Sequence, residues 1–324
     1  MTILARSGTL VSDMRKQYPA FMSDLYEDRY KSLFDRIAVL RERGEITELS
    51  GGLTNQNLAI DTPSGKVVAR ISTNETSMLA IDREAEYQNS KLAAEVGIGA
   101  EVLGYLAGEG LLVISFINGK TFTAEDVAQN LARIAKSCRK LHSAKRFVSE
   151  FNMLDIQPRY LRTVQENGYR IPSRYENYST HVAQIRSALS VLDEGTVPCN
   201  NDLLPANFID DGNQVWLIDY EYSGNNDPCF ELGNICSEAG LGLDALEFLV
   251  SEYYGEKRPE KFARAWLLSL MAKYGWTMWA SIQNSISELD FDFWEWGMEK
   301  YDRAEADFNS PLFKEMLEKA TVSS

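Results

Sequence analysis

The chain has 324 residues, a formal net charge of −14, and a composition that is 44% hydrophobic and 25% charged. These values are typical of a soluble globular protein, and the negative charge disfavours nucleic acid and anionic lipid as partners while suiting a cationic substrate. The four cysteines form no CxxC pair, as is usual for thiols in a reducing compartment. No apolar stretch reaches the about 18 residues of a membrane span, and the N-terminus lacks a signal-peptide core. We therefore expect a cytoplasmic protein without a membrane partner.

The first third of the chain shows helical periodicity followed by strand and turn signals. The predicted elements are, in chain order, one or two amphipathic helices within 1–44, strands on both sides of a glycine-rich turn within 45–72, a turn at 63–65 leading to a strand at 67–71, a helix at 80–96, and strands at 101–106 and 111–116. This part of the chain is therefore expected to form a strand-rich lobe.

Helical periodicity dominates after about residue 120. The predicted helices are 127–141, 178–192, 245–254, 262–286 and 294–306, and one β-rich island at 197–222 interrupts them. The pattern predicts three regions: a helical extension at 1–34, a small strand-rich lobe at 35–117 and a larger helix-rich lobe at 118–324.

The β-rich island carries two aspartates and an asparagine at a spacing that suits phosphoryl transfer. Asp202 is followed five positions later by Asn207, and a predicted strand over 215–218 ends in Asp219. Phosphoryl transfer needs a carboxylate that orients the acceptor hydroxyl and oxygen ligands that hold Mg²⁺ against the donor phosphates. The alternative is that these polar residues only shape turns around a β-hairpin, as the Asp-Asp-Gly at 210–212 does.

The strand-rich part supplies residues that would complete such a site. The candidates for contacting phosphates in its glycine-rich turn are Gly51, Gly52, Thr54 and Asn55. Arg70 lies on the strand VVARIS, and Glu86 lies sixteen residues later on a predicted helix, a separation that suits an ion pair. Taken singly, the glycine-rich segment is more commonly a hairpin turn, and the charged residues would form surface salt bridges. Their order along the chain is that of a kinase.

These motifs together resemble the choline/ethanolamine kinase family, within the wider group of aminoglycoside phosphotransferases and protein kinases. The matching segments are LSGGLTNQNL, VVARI, REAE, NDLLPANFI, LIDYEYSGNNDPCFELGN and GWTMWASIQNSISELDFDFWEW. The resemblance runs from about residue 35 to about residue 310. It implies an α+β, bilobal protein-kinase-like fold, with a small antiparallel β-sheet lobe for the nucleotide and a larger, mainly helical lobe for the acceptor.

The resemblance also implies roles for individual residues. Asp202 would be the catalytic base that accepts or orients the acceptor hydroxyl proton, and Asn207 and Asp219 would hold Mg²⁺. Arg70 would stand where protein kinases have lysine, with Glu86 as its partner on the helix. ATP and Mg²⁺ are the implied cofactors.

The same comparison predicts an adenine-binding hinge and shows one departure from the family pattern. The backbone of Ser115, Phe116 and Ile117 would contact adenine. The family usually has histidine two residues before the catalytic aspartate, whereas this chain has Asn200 before Asp202. Asparagine can form hydrogen bonds but lacks the reach of an imidazole, so the departure predicts reduced activity or a nucleotide-binding protein without turnover.

The acceptor site is predicted from tryptophans near the C-terminus. Trp276 and Trp279 share one helix face, and Trp296 follows an acidic, aromatic stretch. Aromatic faces attract quaternary ammonium groups, and the three tryptophans match the aromatic box of choline kinases. The alternative is that tryptophans at helical spacing belong to the core.

Several functional hypotheses follow from the resemblance. Phosphorylation of choline to phosphocholine is the leading one, and ethanolamine is the nearest alternative acceptor. An aminoglycoside acceptor is disfavoured, because a polycation needs a broad acidic loop more than tryptophans. A pseudokinase is a hypothesis of another class. Residues 1–34 would cap the small lobe or mediate formation of a homodimer.

Overall fold

The computed structural model describes residues 19–49, 52, 54–72 and 78–322 of the chain. Gly51 and residues 1–18 of the predicted helical extension lie outside the described residues. Contacts within the chain define two compact units, one formed by Met1–Asn74 with Ala100–Asn118 and the other by Glu75–Gly99 with Gly119–Ser324.

The first unit is built on a five-stranded antiparallel sheet with strand order β1-β2-β3-β5-β4. Its strands are β1 (Ile46–Leu49), β2 (Asn55–Thr62), β3 (Gly65–Ser72), β4 (Val102–Leu106) and β5 (Leu111–Ser115). Helix α1 (Pro19–Phe34) contributes Tyr26 and Phe34 to the same core as Leu58, Ile60 and Val113 of the sheet. The predicted antiparallel sheet is thereby confirmed.

The second unit is mainly helical. Its helices are α2 (Arg83–Glu95), α3 (Ala124–Gln129), α4 (Leu131–His142), α5 (Met153–Glu166), α6 (Ser179–Leu189), α7 (Pro228–Glu238), α8 (Leu243–Tyr254), α9 (Pro259–Ile286), α10 (Phe293–Phe308) and α11 (Pro311–Lys319). Its short strands are β6 (Lys120–Thr121), β7 (Val197–Cys199), β8 (Phe208–Asp210), β9 (Val215–Leu217) and β10 (Gly224–Asn226). They pair as β10-β7 and as β6-β8-β9, so the predicted β-rich island is present as two small sheets.

Three helices were not predicted, and each contains a proline. Pro158 lies inside α5, and Pro228 and Pro311 stand in the first turns of α7 and α11. Proline usually interrupts a helix, but the first helical position tolerates it, as at Pro228 and Pro311, because that N–H needs no partner within the helix. The helix predicted at 127–141 is in fact two helices, which meet at Asn130.

Two other helices begin at residues that their caps determine. The Asp82 carboxylate accepts the N–H groups of Glu84 and Ala85, so α2 starts after it rather than at the predicted residue 80. Helix α9 starts at Pro259, earlier than predicted, and its 28 residues are buried on every side over most of their length. A helix covered in this way is the centre of its unit. No helix among the described residues combines the length and the apolar character that crossing a membrane requires.

Candidate active site

Residues 200–207, which follow strand β7, form the Asp202 loop. Asn201 is fully buried and adopts a left-handed backbone conformation, with φ of +69°. Its Nδ2 donates to the carbonyl oxygen of Tyr222 at 3.0 Å, and its Oδ1 accepts from Nδ2 of Asn226 at 2.9 Å. Asparagine adopts this conformation more readily than most residues. Its conformational preference and its two hydrogen bonds together stabilise the sharp turn immediately before Asp202.

Asn200 joins the Asp202 loop to the segment that carries Asp219. Its buried Nδ2 donates to the carbonyl oxygens of Ile218 and Asp219 at 3.1 and 2.9 Å. Its Oδ1 accepts the backbone N–H of Asp202 at 3.1 Å. The amide thus anchors both segments at the position where the family pattern led us to expect histidine.

Asn207 and Asp219 occupy backbone positions that hydrogen bonds define. Asn207 ends a short 3₁₀ turn, and its Nδ2 donates to the carbonyl oxygen of Asp202 at 2.7 Å. This bond orients the amide, and its Oδ1 is the atom with which Asn207 would bind a metal ion, because an amide nitrogen offers no lone pair. Asp219 has φ of +63°, and the N–H of Ile218 before it donates to the carbonyl oxygen of Asn207 at 3.0 Å. The structure therefore brings the three predicted residues onto one hydrogen-bonded pair of segments.

The carboxyl group of Asp202 lies among other carboxylates. Burial raises the pKa of Asp202 well above its ordinary value, and the charge of Asp219 raises it further. Glu221 and Glu238 raise this pKa as well, whereas Lys300 lowers it. A cation bound among these groups would relieve their repulsion and favour the ionised form of Asp202, which is the form that accepts a proton.

A buried chain of hydrogen bonds supports the Asp202 loop from helices α7, α4 and α8. Oε2 of Glu231 accepts the backbone N–H of Asn201 at 2.7 Å, and Oε1 lies 3.1 Å from Nε2 of His142. Nδ1 of His142 lies 2.7 Å from the hydroxyl group of Tyr253. No local sequence motif indicates these positioning residues, because they are far apart in the chain.

The same chain brings together three side chains of metal-ligand type, His142, Cys199 and Glu231. Sγ of Cys199 lies 3.6 Å from Nε2 of His142, a distance that a hydrogen bond explains. Burial raises the pKa of the Cys199 thiol well above its ordinary value, which disfavours the thiolate that a metal would need. The cluster is therefore a structural support of the loop.

Arg83 neutralises two buried carboxylates in the second unit. Its Nη1 lies 2.7 Å from Oε2 of Glu86 and 3.2 Å from Oε2 of Glu221. Arg70, the predicted partner of Glu86, lies on β3 in the first unit and is buried. The ion pair between Arg70 and Glu86 stays a prediction.

The three predicted tryptophans form one cluster with Tyr222, called the aromatic cluster below. Trp279 is its centre: its ring centroid lies 6.4 Å from that of Trp276 and 5.6 Å from that of Trp296, both in edge-to-face geometry. The Tyr222 hydroxyl accepts from Nε1 of Trp279 at 2.6 Å. Trp276 and Trp279 are only 4% and 5% exposed, so they also belong to the core, whereas Trp296 is half-buried.

The aromatic cluster lies within electrostatic range of Asp202. Burial raises the pKa of Tyr222 well above its ordinary value, and the charges of Glu221 and Asp202 contribute to the shift. The tyrosine thus connects the tryptophans with the acidic residues. It was not predicted as a site residue, although it lies in the motif LIDYEYSG, three positions after Asp219.

A cationic side chain of the protein, Lys300, contacts the aromatic cluster. Nζ of Lys300 lies 2.6 Å from both carboxylate oxygens of Glu238. The same Nζ lies 4.1 Å from the centroid of the Trp296 ring, well inside the reach of a cation–π interaction. Neither charged residue was predicted, although Lys300 follows Trp296 by one helical turn, a spacing that places both on one face of α10.

The predicted phosphate-binding residues of the first unit are described only in part. A Cβ atom at Gly52 would lie 2.4 Å from the carbonyl oxygen of Asn55, so glycine is required at this position. Oγ1 of Thr54 accepts from Nδ2 of Asn55 at 2.9 Å. These contacts place Gly52 and Thr54 close to Asn55, at the start of β2.

The predicted adenine-binding residues stand at the end of β5. The N–H of Ser115 donates to the carbonyl oxygen of Glu101 at 2.8 Å, and that of Phe116 donates to the carbonyl oxygen of Lys66 at 3.2 Å. Because the sheet engages both N–H groups, a contact with adenine would use the carbonyl groups of these residues or the backbone of Ile117.

Comparison with known proteins identifies the family of this chain. Residues 46–267 match the sequence profile of choline/ethanolamine kinases. Protein LicA of Haemophilus influenzae is 29% identical over 209 residues, which are 63% of this chain and 61% of that protein. The chain thus matches less than two thirds of that relative's length. The probable ethanolamine kinase A of Dictyostelium discoideum is 27% identical over 295 residues, with 80% of this chain and 84% of that protein covered.

A solved structure of a protein from the same family is also similar to this chain. The crystal structure of a choline/ethanolamine kinase family protein from Mesorhizobium loti matches with a TM-score of 0.79 at 28% identity, over 91% of this chain and 98% of that chain. This similarity confirms the predicted protein-kinase-like fold, and the match of the family profile to more than half of the chain confirms the predicted resemblance. The chain belongs to the choline/ethanolamine kinase family.

Proposed function

We propose that this protein transfers the γ-phosphoryl group of ATP to the hydroxyl group of choline, forming phosphocholine and ADP. Membership of a kinase family implies a bound nucleotide and a small-molecule acceptor. In this proposal Asp202 accepts the proton of the acceptor hydroxyl group. Gly52, Thr54, Asn55 and Arg70 contact the phosphates of the nucleotide. We further propose a cytoplasmic location, in line with the reduced, buried cysteines.

The choice of choline rests on how the acidic residues near Asp202 are neutralised. Glu221 is paired with Arg83, and Glu238 is paired with Lys300. A primary ammonium group needs hydrogen-bond acceptors to replace its water, whereas a quaternary ammonium group has no N–H and is bound by aromatic surface. Carboxylates that internal cations already engage, next to the aromatic cluster, favour the quaternary group.

The metal site is supported by the chemistry of its donors. Asn207 and Asp219 offer an amide oxygen and a carboxylate, the hard ligands that Mg²⁺ prefers. Bound there, Mg²⁺ would neutralise negative charge on the nucleotide phosphates. Burial raises the pKa of Asp202, and the neighbouring carboxylates that raise it further also suit a cation at this place. The hydrogen bond from Asn207 to the Asp202 carbonyl would keep the metal ligand Asn207 at a fixed distance from the base Asp202.

Ethanolamine is the second candidate acceptor. The observation that favours it is the similarity to the probable ethanolamine kinase A of Dictyostelium discoideum over 80% of this chain. A protein that binds nucleotide without turnover is less well supported, because Asn200 makes the bonds that order the Asp202 loop.

An ADP-release assay with choline, ethanolamine and kanamycin tests the proposal. We expect kcat/KM for choline to exceed that for ethanolamine by about tenfold, as a well-matched site discriminates, and no turnover of kanamycin. The substitution Asp202→Asn should lower kcat by about 10²- to 10⁴-fold while calorimetry shows ATP still bound. Nucleotide binding without turnover of any acceptor would refute the enzyme, and a preference for ethanolamine would refute only the choice of choline.

A further inference from the structure

Lys300 and Glu238 form an ion pair inside the second unit. Their side chains are only 3% and 5% exposed, so both charges are removed from water. Glu238 is the last residue of α7, and Lys300 lies in the middle of α10. Two helices thus bring opposite charges together beside Trp296. Burial of an ion pair is costly, and a purely structural contact at this place would be made as well by apolar side chains.

The charges around this pair are themselves largely balanced. One turn further along α10, Arg303 pairs with Glu299 at 3.1 Å, and it also donates to the carbonyl oxygen of Ser237. Lys273 of α9 pairs with Asp307. The Lys300 ammonium therefore acts mainly on Glu238, on the Trp296 ring and, through space, on Asp202.

We propose that Lys300 determines the specificity of the acceptor site, because its ammonium group covers a face of Trp296 and neutralises Glu238. With that face of Trp296 occupied and Glu238 neutralised, the acceptor nitrogen meets no free carboxylate from Glu238 beside the aromatic cluster. This inference rests on the proposed function, in which the acceptor is a small amino alcohol. Lys300 acts through Glu238 and Trp296, and it is thus a positioning residue rather than a catalytic one.

The inference predicts opposite effects for the two members of the pair. Lys300→Met would leave Glu238 as an unpaired carboxylate, which attracts cations and accepts hydrogen bonds from a primary ammonium group. Glu238→Gln would leave Lys300 unpaired, which repels any cationic acceptor. The double variant restores neutrality. An uncharged acceptor of the shape of choline should respond to none of these changes in charge.

The test is a set of KM measurements for choline, ethanolamine and 3,3-dimethylbutan-1-ol, the uncharged isostere of choline, at about pH 8.5. In Glu238→Gln we expect KM for both cations to rise about fivefold or more, with KM for the isostere unchanged within about twofold. In Lys300→Met we expect the ratio of kcat/KM values to move about fivefold or more toward ethanolamine. The double variant should return both quantities to near the wild-type values, and Lys300→Arg, the matched control that keeps the charge, should retain the wild-type ratio.

Equal changes of KM for choline and for its isostere in Glu238→Gln would overturn the inference and show a structural pair. An unchanged acceptor ratio in a folded Lys300→Met protein would overturn it as well. Melting curves verify folding, and if Lys300→Met does not fold, the comparison of charged and uncharged acceptors in Glu238→Gln decides. Failure of the wild-type protein to phosphorylate any amino alcohol is a separate result, which would refute the proposed function.

Discussion

Asn200, two residues before Asp202, forms buried hydrogen bonds at the position where the family pattern has histidine. Asn200 donates to two consecutive carbonyl oxygens on the segment that carries Asp219, and it accepts the backbone N–H of Asp202. Amide geometry allows one side chain to donate and accept at the same time. The sequence departure that predicted reduced activity is therefore compatible with an ordered loop.

Substitution of this residue tests its role. We expect Asn200→Ala to lower kcat by about ten- to hundredfold, because a misplaced base costs about this much, and to destabilise the fold by about 1–3 kcal/mol through the unpaired carbonyl groups. Turnover assays and urea denaturation measure the two effects. Asn213→Ala, at an exposed position in a turn, is the matched control and should change neither. A fully active Asn200→Ala protein would show that the loop is ordered by other contacts.

Helix α7 is the element that connects the two halves of the candidate site. Its residue Glu231 supports the Asp202 loop, and its last residue, Glu238, reaches Lys300. The helix packs closely against α9 at Gly233, where an added Cβ atom would lie 2.2 Å from the carbonyl oxygen of Ala265. Because glycine has no side chain, the backbones of α7 and α9 can approach closely here, and the position of α7 depends on this glycine.

The close approach predicts a large effect for a single methyl group. Gly233→Ala should destabilise the protein by about 1–3 kcal/mol, as overpacking does, because the contact is with backbone and cannot yield. Urea denaturation followed by circular dichroism measures this. Gly242→Ala is the control: a Cβ atom there meets open space, so we expect a change below about 0.5 kcal/mol. Equal stability of the two variants would show that the helices can separate without cost.

At the scale of the whole molecule, the net charge of −14 adds a long-range field to the local site. Internal cations neutralise Glu221 and Glu238, whereas the excess of acidic residues over the chain remains. A field of this sign raises the local concentration of small cations, and salt screens it within about 8–10 Å. The field thus acts on how readily a cationic acceptor binds. The local ion pairs act on which acceptor is preferred.

Salt dependence separates these contributions. Between about 20 mM and about 200 mM NaCl we expect KM for choline to rise about two- to fivefold, because screening weakens the attraction of a cation. KM for 3,3-dimethylbutan-1-ol should stay constant and serves as the control for effects of salt on the protein or on ATP. A parallel rise for both acceptors would contradict a role of the field in acceptor binding.

Local patterns predicted much of this protein. The strands of the first unit follow from alternation and turn residues, and the long helix that carries Trp276 and Trp279 follows from helical periodicity. The spacing of Asp202, Asn207 and Asp219 predicted a site, and the structure places these three residues on two segments that hydrogen bonds join. Their roles stay predictions. The helices that contain Pro158, Pro228 and Pro311 were not predicted. Pro228 and Pro311 stand in first turns, where sequence alone does not distinguish a tolerated proline from a helix breaker, and Pro158 stands inside its helix, where proline ordinarily breaks the structure.

The sequence by itself determined the fold class and the family, since both depend on residue types at short, regular separations. Only the tertiary structure decided which polar and charged side chains meet. Glu231 with His142, Glu221 with Arg83 and Glu238 with Lys300 are pairs between residues that are distant in the chain. Their partners depend on how helices pack, and packing is a property of the whole core rather than of any local pattern.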